Sequence, residues 1–427
     1  MTRVAITTLG CRTNQEEGSA LARLLAAQGF TVVPFPGPAD AVVVNTCTVT
    51  SGADADSRRA IRRAVASAPG ALVLVTGCYA QVSPQAAALP GVHYVVGHGA
   101  ARRIPELIAM GRPSRVTVLA PPLPRRLDDG PLAHGAAGGR TRAFLKVQDG
   151  CDAFCSFCIV PFARGRSRSL PIAAAVARLR ALALEGYREV TVTGIHLGDY
   201  GRGLPPGTDL VSLLRALLEA DVVPRLRLSS LFPSHLTDDL VRLFETAPAL
   251  VPHVHLSLQS GDDGVLARMR RPYRRADVER AVRRLVERVP DVGLGADLIA
   301  GFPGETPEAA AATVSLVESL PFGYLHVFPY SPRRGTLAAR QGGALGPDEV
   351  RRRAARLREV AAGRRAAWHR RAIGRVVEVL VEAGGEGRSR EYLKVRFDGR
   401  PAPPAGRLVR AEVTADLGEA VLARAVE

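Results

Sequence analysis

The chain reads as an α/β protein in three parts: an open parallel α/β sheet, a partial (β/α)6 barrel and a small antiparallel β-barrel. Length, two stretches of βα alternation with different beats, and a tail of short alternating strands lead to that reading. At 427 residues the chain exceeds the size at which one hydrophobic core keeps growing, so two or three domains are expected. Forty-seven per cent apolar residues with mixed charge describe a soluble globular composition.

Residues 1–112 form the first part. Apolar runs predict strands at Val4–Thr8, Thr31–Pro34, Ala41–Val44, Leu72–Thr76 and His93–Val96. Apolar residues spaced by three and four predict helices over Asn14–Ala27, Ala53–Ala66 and Arg102–Met110. Such alternation gives an open parallel sheet with helices on both faces, whose strand ends gather along one ligand-binding edge. Residues 113–141, including "APPLPRRLDDGPLAHGAAGGR", are dense in Pro, Gly and Ala and read as an interdomain linker.

From 142 to 371 the alternation resumes with a longer beat. Strands are expected at Ala143–Gln148, Glu189–Thr193, Arg225–Ser229, His253–Ser257, Gly293–Ile299 and Tyr324–Phe328, each followed by a helical stretch. Six clean βα units favour a partial barrel over a flat sheet, with the active site at the strands' C-terminal ends. "DGC", "TGIHLGDYG", "LSLQSG", "DLIAGFPGET" and "FPYSPRRGT" lie there, and five Gly-rich loops on one face suit a backbone that must approach a ligand closely. Residues 347–371 read as a long arginine-rich helix leading into the tail, 372–427. There "GRVVEVLVEAG", "EYLKVRFDG", "GRLVRAEVTA" and "EAVLARAV" predict a compact antiparallel barrel. Tyr392 and Phe397 are sparse aromatics for such a tail, so phosphate contact is expected there over base stacking.

Lysine occurs only at 146 and 394, so the net charge of +16 rests on arginine. Arginine suits phosphates and bases. A GC-rich genome explains arginine in place of lysine but not the net excess, so a nucleic acid is the expected partner. No 18-residue uncharged apolar run occurs and "MTRVAITTLG" lacks a signal peptide's layout, so a cytoplasmic protein without membrane association is expected. Thiols stay reduced there and serve metals or catalysis.

All six cysteines fall into two groups of three. Cys151, Cys155 and Cys158 form a C-x-x-x-C-x-x-C run, which lets one loop present three thiolates to an iron–sulfur cube and leaves one iron without a protein ligand. Such an iron can bind S-adenosylmethionine through its amino and carboxylate groups. Structural zinc would want a fourth Cys or His nearby, and none lies there. Cys11, Cys47 and Cys78 are far apart in sequence, yet each follows a predicted strand, so one sheet edge can collect them. An ordinary buried thiol is the alternative for any one of them. Asn14, Gln15, Asn45 and Thr46 can donate to cluster sulfurs or form turns and caps. Phe157 can line a cofactor pocket or pack beneath its loop. Gly194, Gln259 and Asp297, at or near predicted strand ends, are candidate cofactor-binding residues. His196, His253, His255 and His326 read as core or pocket histidines, not ligands. No side-chain acid or base is assigned.

With these residues in view, the chain resembles a known family. "GCxxNxxE" (Cys11, Asn14, Glu17), "NTCTVT" and "TGCYAQ" resemble the N-terminal cluster domain of radical-S-adenosylmethionine methylthiotransferases. "DGCDAFCSFCIVPFARGRSRS" resembles their radical-SAM barrel, and the tail resembles their RNA-binding TRAM module. "RTRAFLKVQDGC", "TGIHLGDYG", "HLSLQSG" and "HVFPYSPRRGT" resemble the branch that acts on N6-threonylcarbamoyladenosine beside the tRNA anticodon. The isopentenyladenosine branch shows "GQN" where this chain has "GIH", and the ribosomal-protein branch "GCPKN" where it has "GCRTN". The resemblance implies two 4Fe-4S clusters. One, on Cys151, Cys155 and Cys158, cleaves S-adenosylmethionine to a deoxyadenosyl radical; the other, on Cys11, Cys47 and Cys78, carries the sulfur, and a second S-adenosylmethionine supplies the methyl group. Product is the 2-methylthio nucleoside at adenosine 37. The implied partners are the tRNA anticodon stem-loop and an electron donor such as flavodoxin or ferredoxin. Within enzymes the alternative is methylthiolation of isopentenyladenosine or a ribosomal protein; in another class, it is an RNA-binding protein with structural metal sites.

Overall fold

The computed structural model describes residues 1–127, 141–399 and 401–426. Strands β1 (Arg3–Thr8), β2 (Thr31–Val33), β3 (Ala41–Thr46), β4 (Leu72–Gly77), β5 (Tyr94–Val96) and β6 (Thr117–Leu119) form one sheet in the order β2-β1-β3-β4-β5-β6. Every pair is parallel. β3 and β4 are buried along their whole length, which is why they read as continuous apolar runs without alternation. Helices α1 (Arg12–Ala27), α2 (Ser51–Ser67), α3 (Cys78–Val82), α4 (Pro84–Ala87) and α5 (Ile104–Met110) cover the sheet. Ile61 and Ala64 of α2 pack on Val42, Val44 and Val73, while Leu25 of α1 and Leu107 of α5 join Val4, Val43 and Leu74 on the opposite face.

One correction falls in the stretch expected to be a linker. Thr117–Leu119 extends the sheet by pairing with β5; three residues are too few for a periodic signal. Residues 128–140 of that stretch lie outside the described residues.

The second part opens with β7 (Ala143–Lys146). The strand expected to run to Gln148 breaks there, and β8 (Gln148–Asp149) pairs antiparallel with β9 (Arg168–Ser169) instead. This pairing closes the loop carrying the C-x-x-x-C-x-x-C run and the short α6 (Val160–Arg164). Then come α7 (Ile172–Leu184), β10 (Glu189–Thr193), α8 (Leu210–Glu219), β11 (Arg225–Leu228), α9 (Asp238–Thr246), β12 (His253–Gln259), α10 (Asp263–Arg268), α11 (Arg275–Arg288), β13 (Gly293–Ala300), α12 (Pro307–Ser319), β14 (Tyr324–Pro329) and α13 (Pro347–Ala372). The six long strands make two parallel halves, β11-β10-β7 and β12-β13-β14, joined by bridges from Leu226 to Leu250 and from Leu231 to Leu256. β7 and β14 stand at the two edges of this partial barrel.

Side chains along the wall alternate strictly. Leu145, Val190, Val192, Leu226, Leu228, Val254, Leu256, Leu294, Ala296 and Leu298 join the apolar core shared with the helices. The other face carries Lys146, Glu189, Arg225, Arg227, His253, His255, Asp297, Tyr324 and His326, so the barrel has a polar interior. The N-terminal part sits against the seam between the edges. Glu17 of α1 accepts from Lys146 at the end of β7 (2.8 Å), and Thr48 and Asp54 accept from Arg333 beyond β14 (2.8 and 2.7 Å).

The tail closes into a five-stranded barrel of β15 (Val376–Val381), β16 (Glu386–Ser389), β17 (Lys394–Phe397), β18 (Leu408–Asp416) and β19 (Val421–Ala425), in the order β15-β16-β17-β19-β18. Four of its pairings are antiparallel, but β17 and β19 run parallel. Its β16–β17 turn reaches the floor of the central barrel. Arg227 donates to the carbonyls of Ser389 and Arg390 (3.1 and 2.9 Å). A Cβ on Gly293 would lie 1.6 Å from the Glu391 carbonyl oxygen, so only glycine lets the two backbones touch.

Candidate active site

Cys11, Cys47 and Cys78 follow β1, β3 and β4, adjacent strands of one sheet, and so reach the same edge. The approach is tight. Gly77 holds φ at +93° and a Cβ there would meet the Thr46 carbonyl oxygen at 2.4 Å, a position only glycine fills without strain. Asn14, fully buried, donates through Nδ2 to the carbonyls of Leu9 and Thr46, both at 2.9 Å. Asn45 donates to the Asn14 carbonyl (3.0 Å), the Thr46 hydroxyl to the Thr76 carbonyl (2.5 Å), and Gln15 to the Thr8 carbonyl (3.3 Å). These donors therefore fix the loops to one another, while Asn14 Oδ1 accepts from the Cys78 thiol at 3.8 Å. Ser57 of α2 clamps Cys47, accepting from its N–H (3.1 Å) and donating to its carbonyl (2.8 Å). His98, just beyond β5, sets its Nε2 3.4 Å from the Cys78 sulfur. It extends the row of strand-end residues, and "VVGHG" was its unread signal.

The second triplet lies at the mouth of the central barrel. Buried Arg271 donates to the Cys155 sulfur (3.2 Å) and to the Ser257 carbonyl (2.5 Å), and its guanidinium lies 4.1 Å from the Phe232 ring centroid. Phe157 is half-buried and meets Phe302 edge-on at 6.3 Å. Gly194 follows β10, where a Cβ would come within 2.8 Å of Gln148 Oε1; that oxygen accepts from the His196 N–H (2.8 Å). Gln259 ends β12 in the left-handed region, φ +71°. Asp297 does not end its strand, because β13 continues to Ala300. It instead accepts from His255 Nε2 (2.9 Å) and His326 Nδ1 (3.2 Å).

A buried charge network joins the two triplets. Arg164, 1% exposed, donates to both oxygens of Glu17 (2.8 and 2.9 Å) and to Asp149 Oδ1 (3.1 Å), and it also bonds Asn14. Burial opposes the charge on each member, yet Arg164 and Lys146 hold the Glu17 carboxyl well below its usual range, and Lys146 and Arg164 bring Asp149 down to about 2. Sequence reading missed Arg164 and Arg271 as site residues, since both lie in arginine-rich runs without distinguishing spacing.

Burial pushes the Cys78 and Cys158 thiols up to about 12 and Cys151 to about 11. A thiolate is formed at these positions only when something positive binds it. Three thiolates on one zinc, each at about 2.3 Å, would stand only about 4 Å apart. Neither triplet gathers its three sulfurs within 4.8 Å of one another. Three free thiols in each group are a donor set of the kind that holds an iron–sulfur cluster with one metal per sulfur.

Residues 3–97 match the family model described as uncharacterized protein family UPF0004, and residues 145–317 match the radical SAM superfamily. The threonylcarbamoyladenosine tRNA methylthiotransferase MtaB of Aquifex aeolicus is 36% identical over 96% of this chain and 99% of its own length. The chain belongs to the radical-SAM tRNA methylthiotransferases of the MtaB type.

The Bacillus subtilis member of that family is 38% identical over 80% of this chain and 76% of its own. A tRNA-2-methylthio-N(6)-dimethylallyladenosine synthase from Parafrankia is 35% identical over 96% of this chain and 83% of its own. Among solved structures, the radical S-adenosylmethionine methyltransferase TsrM from Kitasatospora setae has the same fold, with a TM-score of 0.58 over 78% of this chain and 75% of its own, at 20% identity. As a radical-SAM tRNA methylthiotransferase, the protein is an enzyme that uses S-adenosylmethionine and an iron–sulfur cluster on a tRNA substrate. No helix among the described residues is long and apolar enough to cross a membrane.

Proposed function

We propose that the enzyme methylthiolates C2 of N6-threonylcarbamoyladenosine at position 37 of tRNA, giving the 2-methylthio nucleoside. In this reading it holds two 4Fe-4S clusters, one on Cys151, Cys155 and Cys158 and one on Cys11, Cys47 and Cys78. The observation that carries it is the convergence of both cysteine triplets on one interface, spanned by the bond from Arg164 to Glu17. When bound, the clusters and S-adenosylmethionine supply the electron, the radical and the methylthio group. An aromatic C–H resists acid–base chemistry, so this reaction needs no side-chain base to remove it.

The protein's own residues hold the site in place. Arg271 places a buried cation against Cys155 and ties the loop to β12 through Ser257. Phe157, Gly194 and Gln259 are the proposed contacts to S-adenosylmethionine around that loop. Glu17, Lys146, Asp149 and Arg164 tie the first two parts together at the junction. We divide the chain into a cluster domain (1–112), a linker (113–141), the radical-SAM domain (142–371) and a TRAM RNA-binding domain (372–427). The electron donor is a small reductant of the flavodoxin or ferredoxin kind. Nucleoside analysis of tRNA from a deletion strain tests the substrate: methylthiolated threonylcarbamoyladenosine should vanish, and its persistence would overturn the reading. Iron and sulfide counts on anaerobically purified protein test the clusters.

A further inference from the structure

The polar interior of the central barrel contains a hydrogen-bonded relay. The Tyr324 hydroxyl bonds His253 Nε2 (2.7 Å) and His255 Nδ1 (3.0 Å). His255 Nε2 and His326 Nδ1 both meet Asp297 Oδ1, at 2.9 and 3.2 Å. Tyr324, His255 and Asp297 are satisfied within the fold, as buried polar groups are, while His253 keeps one buried ring nitrogen, Nδ1, without a partner among the described residues. His326 is different: its side chain is 55% exposed on edge strand β14, and its Nε2 has no partner among the described residues. Two positions along, on the same face, Phe328 is 43% exposed and meets the His326 ring edge-on at 6.4 Å.

We infer that His326, oriented by Asp297, recognises the polar N6 substituent of the modified adenosine, while Phe328 offers an apolar face to the base. The inference rests on the threonylcarbamoyl reading above and deepens it. A threonylcarbamoyl group carries urea N–H donors, a hydroxyl and a carboxylate, whereas a dimethylallyl group at the same nitrogen is wholly apolar. With Nδ1–H committed to Asp297, neutral His326 presents an acceptor to a urea N–H. Protonated, it presents a charged donor to the carboxylate. Either state favours the polar substituent, and neither gains from the apolar one. Asp297 is the positioning residue, since it fixes the ring without facing the substrate.

The test is equilibrium binding at one fixed salt concentration, using reconstituted full-length protein without reductant. The probes are anticodon stem-loop RNAs carrying threonylcarbamoyladenosine or plain adenosine. Wild type should prefer the modified RNA. His326→Ala should lose that preference by roughly tenfold, with its affinity for unmodified RNA and its thermal midpoint unchanged. Asp297→Asn should lose it in part. A preference that survives in His326→Ala overturns this inference and leaves the substrate reading standing. A wild type without preference overturns both.

Discussion

Arg12, the residue after Cys11, donates a 3.1 Å hydrogen bond to the hydroxyl of Tyr392, which comes from the turn of the C-terminal barrel. Tyr392 holds φ at +83° and stacks on His253 with 4.3 Å between centroids. One strained residue thus touches all three parts of the chain. Such strain persists only where surrounding structure over-determines it.

The cations around Tyr392 should be visible in its titration. Burial would raise the phenol, but Arg12, Arg142, Arg388 and Arg227 outweigh it and bring it down to about 8. One tyrosine should therefore ionise near pH 8 by ultraviolet absorbance, and Tyr392→Phe should remove that step. A group whose folded value is depressed adds stability only as it ionises. Wild type should gain over Tyr392→Phe as pH rises from about 8 to 10, by on the order of 2 kcal/mol, and the gain should be absent below pH 8. Denaturant midpoints across that range check it.

Breaking the junction should be costly. Arg164→Ala leaves Glu17 with Lys146 and His98, and Asp149 with Lys146 and Arg168, and removing one partner of a buried pair costs about 3–5 kcal/mol. We expect a lowered thermal midpoint together with loss of iron from the N-terminal site. A variant as stable as wild type would mean that Lys146 and Arg168 satisfy both carboxylates without it.

Gly77→Ala should act more locally. The added methyl meets the Thr46 carbonyl and the Asn45 side chain at 2.4 and 2.5 Å, so strands β3 and β4 must part just where Cys47 and Cys78 leave them. Iron content should fall by about half, with the other cluster's absorbance retained.

The two triplets should be separable by mutation. Cys155→Ser is expected to abolish S-adenosylmethionine cleavage, whereas Cys47→Ser should spare cleavage and stop sulfur insertion. Chromatography of deoxyadenosine and of methylthiolated nucleoside from one reaction reads both. Identical losses would refute the division of labour.

Affinity for RNA should fall with salt, with a log–log slope of about −0.7 to −0.9 per neutralised phosphate. Filter binding over a salt series measures it, and a flat response would detach the arginine surplus from RNA.

The strands and helices of both α/β parts were legible because their apolar periodicity is long and regular; β10 begins and ends where the run Glu189–Thr193 does. Thr117–Leu119 was not, because an edge strand of three residues carries no period. The cysteines stood out as candidate ligands because type and spacing survive without coordinates. The partners of Arg164 were not, because Glu17 lies 147 residues away and no local pattern links them. Asn14 and Asn45 were read as donors to sulfur or as turn and cap residues, and their amide N–H groups are spent on carbonyls; side-chain direction is not written in residue type. The polar barrel interior was half visible, since His253 and His255 alternate along one strand, but only the fold reveals that Tyr324 and Asp297 join them.

The pairing of Glu17 with Arg164 also sets an order of maturation. The first 112 residues leave the ribosome with an acidic side chain whose cation has not yet been synthesised. On the two-cluster reading proposed above, that site is completed only when the barrel docks, so iron should be held there late in biogenesis, once translation has passed both edges of the seam.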